Sequence, residues 1–342
     1  SNMSVTIQKK QAKASRNTSI DVAKLAGVSQ ATVSRAFNPS SKMNPATRQK
    51  VLDAARELSY APDAIARSLI SNSTNIIAVI MQNTTNPFYA KVLTKLSIQL
   101  RRFGKQILYF YLEDPDNLQQ MIDQVLQYRV DGLLITSVNL SSTIADTCFN
   151  FGIPVILFNR QMNDPKIRAV CCDNMQAGRD CADYFVMKGY QRFAFIGGFD
   201  TASTTLNRKE GFFSRLKERG FNDVMVYPSD YTYEAGRNAF HRIMKENTVP
   251  PDAIFCTSDL VCAGVIDCIR YDYNLRIPDD IAVIGFDDIE LASYQSYNIT
   301  SFVQPMDDMI SHICDLLLTP EKFSREPNIS LFPCRLVTRT TA

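Results

Sequence analysis

The sequence predicts an α/β core of the doubly wound, parallel-sheet type, one sheet or two, carried behind a small all-α helix-turn-helix head. Three observations support this. From residue 76 onward, short β-branched runs alternate with helix-length amphipathic stretches. Runs such as IIAVIMQ at 76–82 and IAVIGF at 281–286 are apolar on both faces, which marks strands sandwiched between helices. Ahead of them, residues 19–60 read as short helices joined by tight turns.

In chain order, residues 1–17 are polar and basic, with Lys9, Lys10, Lys13 and Arg16, and read as a mobile tail. Ser1-Asn2 ahead of Met3 reads as a cloning scar. The head spans 18–61. Asp21 suits the positive end of a first helix, and Val22, Ala23 and Ala26 face a small core. Gly27 permits a left-handed turn, and Ser29 caps a second helix whose inner face is Val33 and Phe37. A third helix starts at Asn44-Pro45 and turns Val51, Ala54, Ala55 and Leu58 inward. Residues 62–75 end in SNSTN and read as a hinge and linker. Strands are predicted at 76–82, 106–112, 131–136, 153–158, 168–172, 193–197, 253–257 and 281–286. Helices are predicted at 88–103, 116–128, 175–188, 205–219, 232–246, 259–272 and 305–318. Ligands of such sheets bind outside the carboxyl ends of the strands, so 83–89, 159–160, 198–208, 258–259 and 287–288 are the site candidates.

The charge is unevenly divided. The 342 residues carry 37 Lys+Arg and 35 Asp+Glu, but residues 1–75 alone carry 11 and 4, a net of +7, leaving −5 on the rest. A basic head on a mildly acidic body points to a polyanion as partner. In a helix-turn-helix the second helix enters the DNA major groove with its N-terminal residues on base edges. Here those are Gln30, Ala31, Ser34 and Arg35; Arg pairs with guanine, Gln with adenine, and Ala31 offers apolar contact. Thr18, Ser29, Asn38, Lys42, Asn44 and Arg48 are placed to hold phosphates and set register. A protein-binding module with a solvated basic face is the alternative; the Gly turn, the caps and the linker favour double-stranded DNA.

Composition excludes other classes. Apolar residues make up 45%, which argues against disorder. Nine Cys with no CxxC pair read as reduced, buried thiols of a cytoplasmic protein, and two distant His, His241 and His312, give no metal site. No apolar run spans a membrane, and the N-terminus lacks the core of a signal peptide. The first strand is followed by MQNTTNPF rather than GxGxxG, and no P-loop, GxSxG or HExxH is present, so no enzyme, catalytic residue or cofactor is expected.

The head, together with Thr47-Arg48 and residues 60–69 (YAPDAIARSL), resembles the LacI/GalR family of bacterial transcription repressors. An ordered series continues the resemblance: NPFYA at 86–90, VDGL at 130–133, GIPV at 152–155, FIGG at 195–198, RKEGF at 208–212, TSD at 257–259, PDD at 278–280, GFDD at 285–288 and Gln304-Pro305. The family implies a two-lobed core like a periplasmic sugar-binding protein, crossed three times by the chain. Those crossings are expected near 173, 303 and 324, giving an N-terminal lobe of 76–173 plus 304–324 and a C-terminal lobe of 174–303 plus 325–342. It also implies a hinge helix at 63–70 capped by Asp63, with Leu69 as the apolar wedge inserted into the operator's minor groove. Departures are the basic residues ahead of the head, Ser19-Ile20 before Asp21, and Ile70 where a basic or small residue is common.

The resemblance further implies a homodimer on a palindromic operator, controlled by a small-molecule effector between the lobes. The chain ends without the leucine-repeat helix of tetrameric relatives. Matching effector positions are Phe88, Tyr89, Asn159, Arg160, Arg208, Ser258, Asp259, Asp287 and Gln304, a mixture of apolar wall and directed polar groups that suits a carbohydrate. Ser258 replaces an Asn of sugar-responsive relatives, and Ala202 stands where purine-responsive relatives carry Arg. The reading is therefore a sugar or sugar derivative, as inducer or corepressor, with control by a partner protein as the alternative.

Overall fold

The structure, a computed structural model, describes residues 15–82 and 85–342. Most of the basic tail, and Asn83 and Thr84 of the first strand-end segment, lie outside the described residues. The chain divides into two units at residues 74 and 75.

In the first unit, α1 (Ser19–Ala26), α2 (Gln30–Ala36) and α3 (Pro45–Glu57) enclose a core of Val22, Ala23, Ala26, Val33, Ala36, Val51, Ala54 and Ala55. Phe37 and Leu58 pack on its rim. Such a small core relies on well-made helix ends. Thr18 and Asp21 form a capping box on α1, and the Thr18 N–H holds the Asp21 carboxyl below its usual pKa. Gly27 turns the chain at φ 68°, and Ser29 accepts from the Thr32 N–H to start α2. Then α4 (Ala64–Ser71) follows, capped by Asp63 through the N–H groups of Ile65 and Ala66. It buries none of its residues.

The second unit holds two six-stranded sheets. The N-terminal lobe contains β1 (Ile76–Met81), β2 (Gln106–Tyr111), β3 (Gly132–Thr136), β4 (Val155–Phe158), β5 (Arg168–Cys172) and β11 (Ile329–Phe332), in the order β11-β5-β4-β3-β1-β2, all parallel. The C-terminal lobe contains β6 (Phe193–Ile196), β7 (Val224–Tyr227), β8 (Ala253–Cys256), β9 (Ala282–Asp287), β10 (Thr300–Val303) and β12 (Arg335–Val337), in the order β12-β10-β9-β8-β6-β7. Only β12 runs antiparallel, against β10. Each order reverses once, between β1 and β3 and between β6 and β8, and ligand crevices open at such switch points.

The helices are α5 (Pro87–Arg102), α6 (Leu118–Leu126), α7 (Ser142–Asn150), α8 (Asn174–Met187), α9 (Ser203–Glu218), α10 (Tyr233–Glu246), α11 (Asp259–Asp267), α12 (Met306–Leu318) and α13 (Pro320–Arg325). Two helix pairs, α8 with α9 and α10 with α11, close up through glycines. A Cβ on Gly178 of α8 would lie 2.3 Å from the Arg208 carbonyl oxygen, and one on Gly211 of α9 would lie 2.0 Å from that of Met175. No helix among the described residues is long and apolar enough to cross a membrane.

The chain leaves the first lobe after β5 and returns between β10 and α12, which packs on α5. The third crossing, expected near 324, lies instead at Pro333-Cys334. The reason is β11, which pairs with β5 from Ile329↔Ala169 to Phe332↔Cys172 and so keeps residues 329–332 in the N-terminal lobe. The sequence also showed no signal for β7, β10, β11, β12, α7 or α13.

Candidate functional site

In the head, Gln30, Ala31, Ser34 and Arg35 are all exposed at the start and outer face of α2. The Gln30 amide donates to Ser19 Oγ at 2.8 Å, and Arg35 reaches back to Thr32 Oγ1 at 3.3 Å, so both side chains are steadied near the helix surface. Of the residues read as phosphate contacts, Thr18, Ser29 and Asn44 spend a side-chain oxygen on helix caps, and Asn38 accepts from Ser40. Lys42 stands exposed. Arg48 corrects the expectation. Its guanidinium donates to the carbonyl oxygens of Ala36 at 2.7 Å, Asn38 at 3.1 Å and Ser41 at 2.7 Å, so it fastens the loop between α2 and α3 rather than facing outward.

In the core, one cavity gathers residues from strand ends of both lobes. Asn86 and Tyr89 follow β1, Ser137 follows β3, and Asn159 and Arg160 follow β4. From the other lobe come Thr204 and Arg208 on α9, Tyr231 after β7, Thr257 and Ser258 after β8, Asp287 at the end of β9, and Gln304 after β10. Four of them hold left-handed backbone: Ser137 (φ 61°), Asn159 (φ 59°), Tyr231 (φ 68°) and Asp287 (φ 100°). Non-glycine residues in that region cost roughly 1–3 kcal/mol each and collect at ligand sites.

The lobes meet across this cavity. Asn86 donates to Asp287 Oδ2 at 3.1 Å, Arg160 Nη1 to Thr204 Oγ1 at 3.2 Å, and the Gln161 N–H to Ser203 Oγ at 2.9 Å. The free space left is about 20 Å³, room for one or two waters. Gln304 donates to Asp287 Oδ1 at 2.7 Å. Burial pushes the Asp287 carboxyl above its usual pKa, against the pull of Arg208, Asn86 and Gln304. Arg208 donates through Nε to Asn174 Oδ1 at 2.9 Å and through Nη1 to the Thr257 carbonyl at 2.6 Å, with its guanidinium 3.5 Å above the Phe286 ring. Ser137 Oγ, Asn159 Oδ1, Thr257 Oγ1 and Gln304 Oε1 are buried with no hydrogen-bond partner. Unpaired polar atoms in a dry interior cost roughly 1–3 kcal/mol each, so four on one cavity mark a place prepared for polar company.

Seven of the nine effector positions expected from sequence line the cavity: Tyr89, Asn159, Arg160, Arg208, Ser258, Asp287 and Gln304. Two do not. Phe88 turns away to stack on Phe158 at 6.2 Å and meet the Tyr89 ring edge at 5.3 Å, so it is core. Asp259 lies beneath the site, accepting from Ser301 Oγ at 2.7 Å and the Ile289 N–H at 2.8 Å, which ties α11 to β9 and β10. Its carboxyl is pushed well above its usual pKa by burial and then by Asp287. Asn86, Ser137, Thr204, Tyr231 and Thr257 were absent from the expected set; Asn86 and Thr204 fell within strand-end segments already singled out. Elsewhere in this unit His241, Cys268 and Asp272 come together, but Asp272 is ion-paired with Arg237 at 2.7 Å, so the cluster reads as an ion-pair network.

Comparison with known proteins agrees with this arrangement. Residues 20–63 match the family described as bacterial regulatory proteins, lacI family, and residues 74–336 match periplasmic binding proteins and sugar binding domain of LacI family. The ribose operon repressor of Escherichia coli K12 is 30% identical over 302 residues, covering 87% of this chain and 91% of that protein. Catabolite control protein A of Priestia megaterium is 31% identical, covering 84% and 88%. Among solved structures, the CelR–cellobiose complex of a transcriptional regulator superposes with a TM-score of 0.72 at 26% identity, covering 96% of this chain and 100% of that one. The lac repressor dimer bound to operator and an anti-inducer superposes at 0.84 and shares the fold at 24% identity, covering 96% and 99%. The chain belongs to the LacI family of bacterial DNA-binding transcriptional repressors, with a periplasmic-binding-protein-like core.

Proposed function

We propose that this chain acts as a homodimer on a palindromic operator and that a small polyhydroxylated molecule, a sugar or sugar derivative, sets its operator affinity from the cleft between the core lobes. The observation that carries the effector half is the group of four buried, unpartnered polar atoms on one strand-end cavity. A polyol supplies both donors and acceptors to such a set. Tyr89 and Tyr231 give the wall, while Asn86, Arg160, Arg208, Ser258, Asp287 and Gln304 give direction. In the head, Gln30, Ala31, Ser34 and Arg35 read bases, Lys42 holds phosphate, and Leu69 of α4 wedges the minor groove. Relatives support the carbohydrate class: a ribose operon repressor in sequence and a cellobiose complex in structure.

Effector and operator are linked through lobe arrangement, so each changes the other's affinity by the same factor. The test is to select operator sequences from random duplex DNA with the purified chain, then titrate the selected duplex with and without a panel of pentoses, hexoses, disaccharides and their derivatives. A shift in operator affinity of about fivefold or more with one of them supports the reading, since allosteric couplings run from about fivefold upward. Affinity unchanged by every member sinks it. The second reading is control by a partner protein, and the narrowness of the cavity favours it. It predicts operator affinity that responds to a cell extract's protein fraction and to no dialysable molecule.

A further inference from the structure

Three features of the cavity converge on a chemistry that a plain polyol does not use. The first is Arg160. It is 8% exposed and forms no ion pair among the described residues. Its donors rest on neutral oxygens: the carbonyls of Asn159 at 2.7 Å and Ser137 at 3.3 Å, and Thr204 Oγ1. A buried charge without a counter-charge is costly, and the cost falls when an anion arrives.

The second is the N-terminus of α9, which enters the cavity at Thr204. This 16-residue helix starts behind Ala202, and no side chain caps it. Four helices at the cleft are capped by a side chain, α5 by Asn86, α8 by Asp173, α10 by Thr232 and α11 by Ser258; α12, which starts behind Gln304-Pro305, also lacks one, but its first turn carries Asp307 and Asp308, which repel an anion. The first-turn N–H groups of α9 and the positive end of its dipole are therefore uncommitted to any side chain. The third is Ser137 Oγ, more than nine-tenths buried, without a partner, on the same cavity wall.

The remaining charged groups give the cleft a direction. Asp287, Gln304 Oε1 and Asn159 Oδ1 form an acceptor-rich set. Gln304 donates one amide hydrogen to the Asp287 carboxylate, and its oxygen is left as an acceptor for ligand hydroxyls. Resting on the reading of the cleft as an effector site, we infer that the effector is a polyol bearing an oxyanion, a phosphate ester or a carboxylate. The oxyanion sits between Arg160 and the N-terminus of α9, touched by Ser137 and Thr204, and the hydroxyls face Asp287 and Gln304. Arg160 belongs to the first lobe and α9 to the second. The anion therefore replaces the Arg160–Thr204 contact as the bridge that holds the lobes together.

The experiment uses the full-length protein and inorganic phosphate as the first probe, with thermal unfolding followed at matched ionic strength in chloride. Phosphate raises the melting temperature of the wild type. Two variants lose that shift: Arg160→Gln, which removes the cation, and Ala202→Asp, which supplies a carboxylate cap to α9 and so occupies the seat. Because Ala202 is buried, the melting temperature of each variant without phosphate is read first, and an Asp cap that bonds the α9 N–H groups and pairs with Arg160 keeps that temperature near the wild type. No phosphate-specific shift in the wild type, or a shift kept in both variants, overturns the inference; in the latter case phosphate is bound elsewhere. Calorimetry then compares D-ribose with ribose 5-phosphate, and D-glucose with glucose 6-phosphate and glucuronate. An anion binding at least about tenfold tighter than its neutral parent, in competition with inorganic phosphate, is the expected result for a charge-assisted contact. Neutral parents binding as tightly or more tightly overturn the oxyanion while leaving the sugar cleft in place. A phosphate shift with no sugar of either kind bound leaves the oxyanion seat and overturns the carbohydrate reading.

Discussion

Arg35 and Arg48 are both arginines of the head, and the structure gives them different work. Arg35 stands exposed on α2 with one light contact to Thr32, free to reach a guanine edge. Arg48 closes three carbonyl oxygens of the loop between α2 and α3. We expect Arg35→Ala to cost about 1–3 kcal/mol at one base position and to relax preference there. Arg48→Ala is expected to cost about 1 kcal/mol in stability of the head, because part-buried carbonyls of the loop lose their donor. It should leave the slope of operator affinity against salt unchanged, whereas loss of a phosphate contact lowers that slope by about one. Binding to single-base operator variants, denaturant unfolding and a salt series separate the two roles. A salt slope lowered in Arg48→Ala returns that residue to the phosphate set. The same scale explains what sequence could reach in the cleft. A strand-end rule finds segments, not directions: Phe88 and Tyr89 are neighbours on α5, yet about 100° of helix rotation turns one into the core and the other to the cavity. Ser258 and Asp259 divide in the same way at the start of α11. Tyr231 was out of reach because it sits after β7, a strand whose VMVY is too short and half-exposed to signal itself.

The elements that sequence reading found are those with strong periodicity: eight strands apolar on both faces and seven long helices between them. Of the strands it missed, β7, β11 and β12 lie at sheet edges and β10 precedes a crossing. In β10 the residues are TSFV and in β12 RLV, short and mixed in polarity; β10 is buried although half polar, and β12 is held by its pairing with β10, so neither signals itself in the sequence. The misplaced third crossing has the same origin, since β11 earns its lobe only by its register against β5. Two predictions belong to this scale. First, α4 exposes Ile65 at 77%, Leu69 at 70% and Ile70 at 88%, and buries nothing. Eight residues with one cap form a marginal helix in water. Amide hydrogens of 64–71 are expected to exchange almost as fast as in an unfolded chain without DNA and to slow strongly on operator. Strong protection in the free protein would show that α4 stands on its own. Second, Gly211 lets α9 lie directly on the Met175 carbonyl of α8. Gly211→Ala must push the helices apart, at about 1–3 kcal/mol for overpacking, seen as a lower unfolding midpoint. Because Asn174 of α8 holds Arg208 of α9, the same change should weaken effector binding. Unaltered stability would mean that the pair yields more easily than its contact distance implies.

At the scale of the whole chain, the near-neutral total of +2 is the sum of two unlike parts. The excess of Lys and Arg lies in residues 1–75, which contain α2 and α4, and the excess of Asp and Glu lies in the core that holds the strand-end cavity. A duplex releases condensed counterions for each phosphate that a cation neutralises, so the logarithm of operator affinity should fall linearly with the logarithm of salt, with a slope of roughly 0.9 per contact. A dimer making 6–10 such contacts loses about 10³–10⁵ in affinity between roughly 50 and 200 mM salt. The effector sees different surroundings. The charged groups proposed to meet it, Arg160, Arg208 and Asp287, are all buried, and burial shields a pair from the ionic atmosphere. Effector affinity should therefore change several-fold at most over the same range. The two titrations, run on one preparation at each salt concentration, test the division directly. A shallow operator slope would move DNA recognition away from the basic head, and an effector slope as steep as the operator's would place the effector on an exposed charged surface instead of in the cleft.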